Sequence, residues 1–547
     1  MKNVCILTLA SIFFVSCEYM ASRKFQKSIE IIDSYEGITD LVLEEGSEEW
    51  MLPVVNDSII SYILSKEGLT DSLESLAIVS CPKITTEGYR KLAALKGLRR
   101  LKLKNLPING ADVNILAGSL DSLSIFDLMN NDHIDSISFG ARKHRLSVHI
   151  TECNQFRYIS GGDSTTHLSI TLDNTLGQRK TEIDIAKSKG VYLGFINENI
   201  TDSLKIRIGS SANNYLHFLS CRFDENTRFF SSLPNVRKIN ISGVSAHSLK
   251  FNDLQQLKTL HIRHFDTGIE EIVPLKHVII ENLPSLTYLN IEDGHLEKFQ
   301  VKSVDSLSTV NLYSAKKGFN IQGIDELKTL SSFEKYGTIL NDQLFEQVLG
   351  LPQISTFGYD VDTLIDKQLT SIAQSKKIKE LSISPLRKVS DLDRILQMDG
   401  ILSLDIGGSP IKTIRIDSHP TLRKFKARSI YEFEELQVTN CDLLEELSLE
   451  MIYPEKAVIR NVPNLTALNM GLCHLDDDKA FENQLNQLSS LKQLSLETCN
   501  KPLDLRGLKE LEWIWFRNGQ SKVILNKQLK DSVYTNNYKG PIVYVED

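Results

Sequence analysis

Beyond its first residues the chain has no run long and apolar enough to cross a bilayer, which takes about 20 apolar residues. It has no G-x-x-x-x-G-K-S/T, G-x-G-x-x-G, G-x-S-x-G or H-E-x-x-H motif. Phosphate-loop, dinucleotide, hydrolase-elbow and zinc-protease chemistry therefore have no sequence support. An excess of positive charge is missing too. The 62 Lys and Arg against 70 Asp and Glu leave a net charge of -8 with the signs interspersed, so there is no electrostatic footprint for nucleic acid. Charged residues make up only 24% against 41% hydrophobic, a composition that folds rather than stays disordered. The best metal-like grouping is His144, His149 and Cys153, but the strand pattern turns His149 outward and Cys153 inward. The expectation is a protein that is not an enzyme and uses no cofactor or metal.

A chain of 547 residues would ordinarily need several cores, because single cores stop growing at roughly 250–300 residues. A repeat array escapes that limit, and a repeat is present. Leu73-x-x-Leu76-x-Ile78-x-x-Cys81 recurs from Leu98, Leu120, Val236, Leu257, Ile378, Leu465, Leu491 and Leu511. Positions 4 and 6 of each copy fall on one face of a short strand. One such face cannot be buried alone, whereas a stack of coils shares a continuous core. This pattern resembles the leucine-rich-repeat family from about Asp71 to Asn518, and the irregular repeats are similar to those of surface and envelope lipoproteins of Bacteroidota. The resemblance implies a β-rich α/β solenoid with parallel strands.

A shorter beat starts at Leu275, Leu286, Leu296 and Leu307, and again at Ile401, Ile411, Leu422, Phe433 and Leu444. Steps this short imply two strands per coil, one on each side. Elsewhere the return leg reads as helix, as in Thr86 to Leu95 and Asp478 to Leu488, with Asp476-Asp477-Asp478 as an N-terminal cap. Residues 17–70 lack the pattern and suit a tether and N-terminal cap, with Phe25, Ile29 and Ile32 on one helical face; residues 71–518 form the solenoid, and 519–547 suit a C-terminal cap.

Residues 1–16 read as a signal peptide with a short apolar region. The ending Phe14-Val15-Ser16-Cys17 resembles a lipobox, which implies lipidation at Cys17. Phe14 departs from the usual aliphatic residue there, and an ordinary signal peptide with an incidental Cys17 is the other reading. The acyl chains would then be the only membrane anchor of an exported, outer-membrane protein, on its cell-surface or periplasmic face. Cys81, Cys153, Cys221, Cys441, Cys473 and Cys499 remain. Each falls at position 9, where leucine-rich repeats turn a small side chain inward, so buried free thiols are expected in place of disulfides, with Cys473 and Cys499 as the one pair whose successive coils could bring them close enough to bridge. Arg423, Lys424, Lys426 and Arg428 should pair with Glu445, Glu446 and Glu450 across strands.

The functional expectation is a binding module that holds a protein or glycan partner on its exposed strand surface. A structural scaffold lipoprotein and an enzyme on an irregular repeat scaffold are the alternatives. Two outward groups are candidates for contact. One is Tyr215, His217, Asn240, His261, Arg263, His264 and His277 in neighbouring copies. The other is Trp513 and Trp515, with Arg517, on the last copy, where outward indoles are costly unless covered.

Overall fold

The computed structural model describes residues 21–34, 38–48, 51–141, 144–177, 179–210, 214–224, 228–243, 245–263, 273–315, 319–430, 433–471, 478–499 and 502–546. The chain divides into two compact units, Met1–Leu286 with Lys302–Val304, and Thr287–Val301 with Asp305–Asp547. Cys17, His264, Cys473, Asp476 and Asp477 lie outside the described residues.

Each unit is a β-rich α/β solenoid of parallel coils. In the first, the front strands run in order Asp40–Glu44, Ser75–Val79, Arg100–Lys104, Ile125–Met129, Leu146–Thr151, His167–Asp173, Gly190–Ile196, Tyr215–Leu219, Lys238–Ser242 and Thr259–Arg263. Every pair is parallel and in register at the repeat position, so Leu76, Leu101, Phe126, Val148, Ile170 and Leu193 form one inward column, each at most 2% exposed. After a first step of 35 residues from Leu41 to Leu76, the coils advance by 21–25 residues, within the leucine-rich-repeat range. On the return side, Ser136–Phe139, Tyr158–Gly161, Thr181–Ile185 and Leu204–Ile208 form a second parallel sheet, and Ser248–Asn252 pairs with His277–Glu281.

The second unit repeats the plan. Front strands from Tyr288–Glu292 through Thr309–Ala315, Ser332–Gly337 and Thr356–Val361 to Gln493–Cys499, Trp513–Gly519 and Val533–Asn536 alternate with back strands such as Thr413–Asp417, Glu435–Thr439 and Lys456–Arg460. The short beat is thus two strands per coil, as its spacing implies.

Where a coil has room for more residues, the return leg is helical. Thr86–Lys91 is capped by the Thr85 hydroxyl on Glu87 N–H, Gly110–Ser119 by Asn109, and Asp342–Gly350 by Asn341. Such caps satisfy amides that the first turn leaves without partners. The helix Asp478–Leu485 falls where the acidic stretch placed one. Those at Gly110–Ser119, Asp342–Gly350, Asp366–Ala373 and Val389–Leu396 were not anticipated.

A device absent from the expectation closes most front strands of the first unit. Ser80, Asn105, Asn130, Asn174, Asn197 and Ser220 all adopt left-handed backbone, with φ from 49° to 55°. They occupy position 8, and most are Asn, which tolerates this conformation better than other side chains. The turn lets each amide reach the next strand: Ser80 N–H donates to Lys104 O at 2.9 Å and Asn105 N–H to Met129 O at 3.0 Å. It also swings position 9 inward. Cys81, Cys153, Cys221 and Cys441 are buried and free, and each thiol is directed at backbone carbonyls, as in Cys81 Sγ to Val79 O at 3.1 Å and Cys221 Sγ to Phe195 O at 3.3 Å. Burial pushes the Cys81 thiol up to about 12 and the Cys153 thiol to about 11. The Cys499 side chain lies outside the described residues.

Position 9 also holds Glu198, only 2% exposed. Its carboxylate accepts the amides of Thr175 at 2.6 Å and Leu176 at 2.9 Å, yet loss of hydration raises its pKa from 4.5 to about 7. The folded state therefore holds this proton more tightly than the unfolded chain. Its contribution to stability is complete below pH 4.5 and falls as pH rises towards about 7. Glu198→Gln is expected to flatten that segment of a stability-against-pH profile followed by chemical denaturation. An unchanged slope would show that another group carries it.

Three expectations are corrected. The copy begun at Leu120 is out of register, because Phe126 and Leu128 point inward while Ile125 faces out; Leu123 is its true first position, and Asn131 its buried ninth. Strand Asp40–Glu44 pairs with Ser75–Val79, so the front sheet begins inside the stretch assigned to the cap. The C-terminal stretch does not leave the array: Val533–Asn536 adds a front strand, and Val523–Asn526 pairs with Ile542–Val545 behind it.

Candidate binding surface

The outward residues of a parallel stack form rows, because register carries the same position from strand to strand. In the first unit one row reads His217, Asn240, His261, beside Tyr215, Lys238, Thr259 and Leu219, Ser242, Arg263. The structure therefore brings Tyr215, His217, Asn240, His261 and Arg263 together on one face. It does not bring His277, whose strand belongs to the return side and pairs with Ser248–Asn252; its ring meets His247 at 5.4 Å. Leu275 starts a back strand, one of the two that alternate in the short beat.

Tyr192 joins the cluster without having been anticipated. Its hydroxyl lies 3.1 Å from His217 Nδ1, and its ring meets the Tyr215 ring edge-on at 5.2 Å. Gly194 makes room: a Cβ there would stand 3.3 Å from the Tyr192 ring and 3.2 Å from Thr171 Oγ1. Tyr215 is held from its other side by the Lys238 ammonium, 5.0 Å from the ring centre, and by Asn240 Nδ2 at 3.2 Å from its hydroxyl. Tyr192, Tyr215, His217 and Asn240 are half-buried, and Lys238 is exposed. Burial lowers the His217 pKa below the usual histidine value, so the ring is neutral at pH 7. The surface is thus a rigid, neutral aromatic cluster rimmed by Lys238, His261 and Arg263.

His149 faces outward and contacts Asp127 at 2.9 Å, which raises its pKa, while Cys153 points into the core. The two do not share a site.

In the second unit Trp513 and Trp515 project from the front strand, both half-buried. The C-terminal strand lies alongside and sets Tyr534 with its ring 5.9 Å from that of Trp513. The indoles line a cavity of about 280 Å³ together with Lys426, Glu446, Glu450, Asn469 and Gln493 among others. The basic group of the neighbouring strands is paired as expected, with one change of partner. Arg423 bonds Glu445, and Lys424 and Lys426 reach Glu446 at 3.5 and 3.1 Å, but Arg428 turns to Asp405 at 3.0 Å and leaves Glu450.

A further aromatic group on the same unit escaped the sequence. Tyr313 and Tyr336 stack at 4.2 Å, beside Asn311, which donates to Tyr288, and Asn290, which donates to Glu292. The signal was available: Tyr288 is position 3 of the copy from Leu286, and Tyr313 and Tyr336 are position 7 of the copies from Leu307 and Leu330.

The class these observations define is a leucine-rich-repeat solenoid, with aromatic clusters on the front strands of each unit. Among solved structures, TLR13 in its complex with single-stranded RNA is similar over 86% of this chain and 89% of its own, at 13% identity and a TM-score of 0.31. A Leptospira interrogans LRR protein matches over 79% of this chain and 86% of its own, at 12% identity and a TM-score of 0.25. At these scores the reading of the fold rests on the coils themselves. No protein-family model and no curated protein matches the sequence.

Proposed function

We propose that the chain is an exported, lipid-anchored binding module of the cell envelope that holds a protein or glycan partner on the front face of its solenoid. The observation that carries this reading is the interlocked group Tyr192, Tyr215, His217 and Asn240. Outward side chains that already fix one another's rotamers lose little entropy when a partner docks, and half-buried aromatics rimmed by Lys and Arg have the composition of interface anchors. The anchor in this reading is acylated Cys17, since no helix among the described residues is long and apolar enough to span a bilayer.

Two experiments test the proposal. Cys17→Ala should move the protein from the membrane fraction to the soluble fraction, because one lost anchor has no substitute; a mutant that still sediments with membranes contradicts lipidation. In pull-downs from envelope or host extracts, a partner retained by wild type should be lost from the folded triple variant His217→Ala, His261→Ala, Arg263→Ala. Undiminished capture by that variant and by Trp513→Ala, Trp515→Ala would move the binding face elsewhere.

A further inference from the structure

The cavity at the tryptophans has features that narrow what it holds. Only three tryptophans occur in the chain, and two sit at alternate positions of one strand, so both indoles lie on the same outward face. Tyr534, itself 53% exposed, extends the aromatic surface by one strand. Beside the rings, among Leu447, Ala467 and Leu468, the lining includes planar polar groups: the carboxamides of Asn469 and Gln493, with Asn469 braced by its Nδ2 on Ser448 Oγ at 3.2 Å. Carboxylates complete it. Glu446 is tied to Lys426 at 3.1 Å, whereas Glu450 has no ion pair among the described residues.

A protein hot spot of this size would present an apolar slot. Here flat aromatic faces stand beside groups that each offer paired donors or acceptors in one plane. A pyranose ring is complementary to both: its axial C–H face packs on an indole, and its vicinal equatorial hydroxyls meet an amide or carboxylate two at a time. The volume, about 280 Å³, falls just below the range of ligand cavities, roughly 300–1,000 Å³, and suits one or two such rings lying partly open to solvent. Among the lining residues two carboxylates, Glu446 and Glu450, stand against one ammonium, Lys426, so the cavity presents no excess of positive charge to attract anionic sugars. We propose that this cavity binds a neutral oligosaccharide stacked on Trp513 and Trp515. The proposal rests on the front-face binding reading above and assigns a ligand class to one part of that face.

The tryptophans are their own reporters. Maltohexaose, cellohexaose, N-acetylchitohexaose and hexagalacturonate are titrated into the mature protein with tryptophan emission as readout, after a glycan array has extended the neutral set. The expected result is a saturable change with at least one neutral saccharide, and at least tenfold weaker binding of the galacturonate. Trp515→Ala should weaken the neutral ligand at least tenfold, as should Asn469→Ala, which keeps the indoles in place and guards against a folding artefact. A silent array with no saturable change overturns the proposal, and so does tighter binding of the anionic sugar. If a protein partner is captured by wild type and lost from the tryptophan variants while no sugar binds, the saccharide assignment fails and the front-face reading stands. If neither sugar nor partner depends on any front-face residue, both fall.

Discussion

Lys335→Met is expected to stabilise the protein at neutral pH, by up to about 3 kcal/mol. Lys335 sits at position 6 of the copy from Leu330, where most other coils place Ile, Leu or Phe and the next places Tyr359, and its exposure is 0%. Its ammonium donates to the Tyr336 carbonyl, which leaves most of its hydration unreplaced. Burial accordingly lowers its pKa from 10.5 to about 8, with Asp362 opposing the shift. The unfolded chain thus binds the proton more tightly than the folded one. The penalty is complete below about pH 8 and is relieved as pH rises towards 10.5. A shift of this size corresponds to about 3 kcal/mol, and Met keeps the shape of the lysine stem without the charge. Chemical denaturation of both proteins at pH 7 and pH 10 checks it: the advantage of Met should shrink at the higher pH. A variant less stable than wild type at pH 7 would mean that the bond to Tyr336 outweighs desolvation.

Phe218→Ala is expected to cost about 3–5 kcal/mol. The ring is fully buried, stacks on Phe195 at 5.1 Å, and meets Phe223, Phe229 and Phe230 edge-on at 5.3, 5.9 and 5.9 Å. It belongs to the same strand as Tyr215 and His217 but faces the opposite way, so one strand holds the core and displays the surface. Thr259→Ala, on the outward face, should change stability by less than about 0.5 kcal/mol. Comparable losses for the two would mean the inward and outward rows are misassigned.

What the sequence disclosed follows the strength of its periodic signal. Copies with Leu at position 1, Leu or Ile at position 4 and a large apolar residue at position 6 located the strands at Leu76, Leu260, Leu468 and Ile514 in register. The error at Leu120 arose because that residue ends a helix and is itself buried, so a helical leucine imitated the first position of a strand. Helices such as Gly110–Ser119 and Val389–Leu396 were hidden because they bury a single face against the coil and run for only two or three turns. Strand Gly190–Ile196 starts on glycine and not leucine, which concealed Tyr192. The outward rows were legible once register was fixed, since adjacency follows from alternation alone. His277 shows the limit: which of two alternating strands lies in front is a question of phase, and phase was left open at Leu275.

The most direct test of the account uses photo-cross-linking residues placed singly at His261 on the front face and at Lys250 on the return sheet, in intact cells producing the full chain. The account predicts a discrete adduct from the front position and none from the back. Adducts from Lys250 alone would contradict it, because the partner would then lie on the return side and not on the front face.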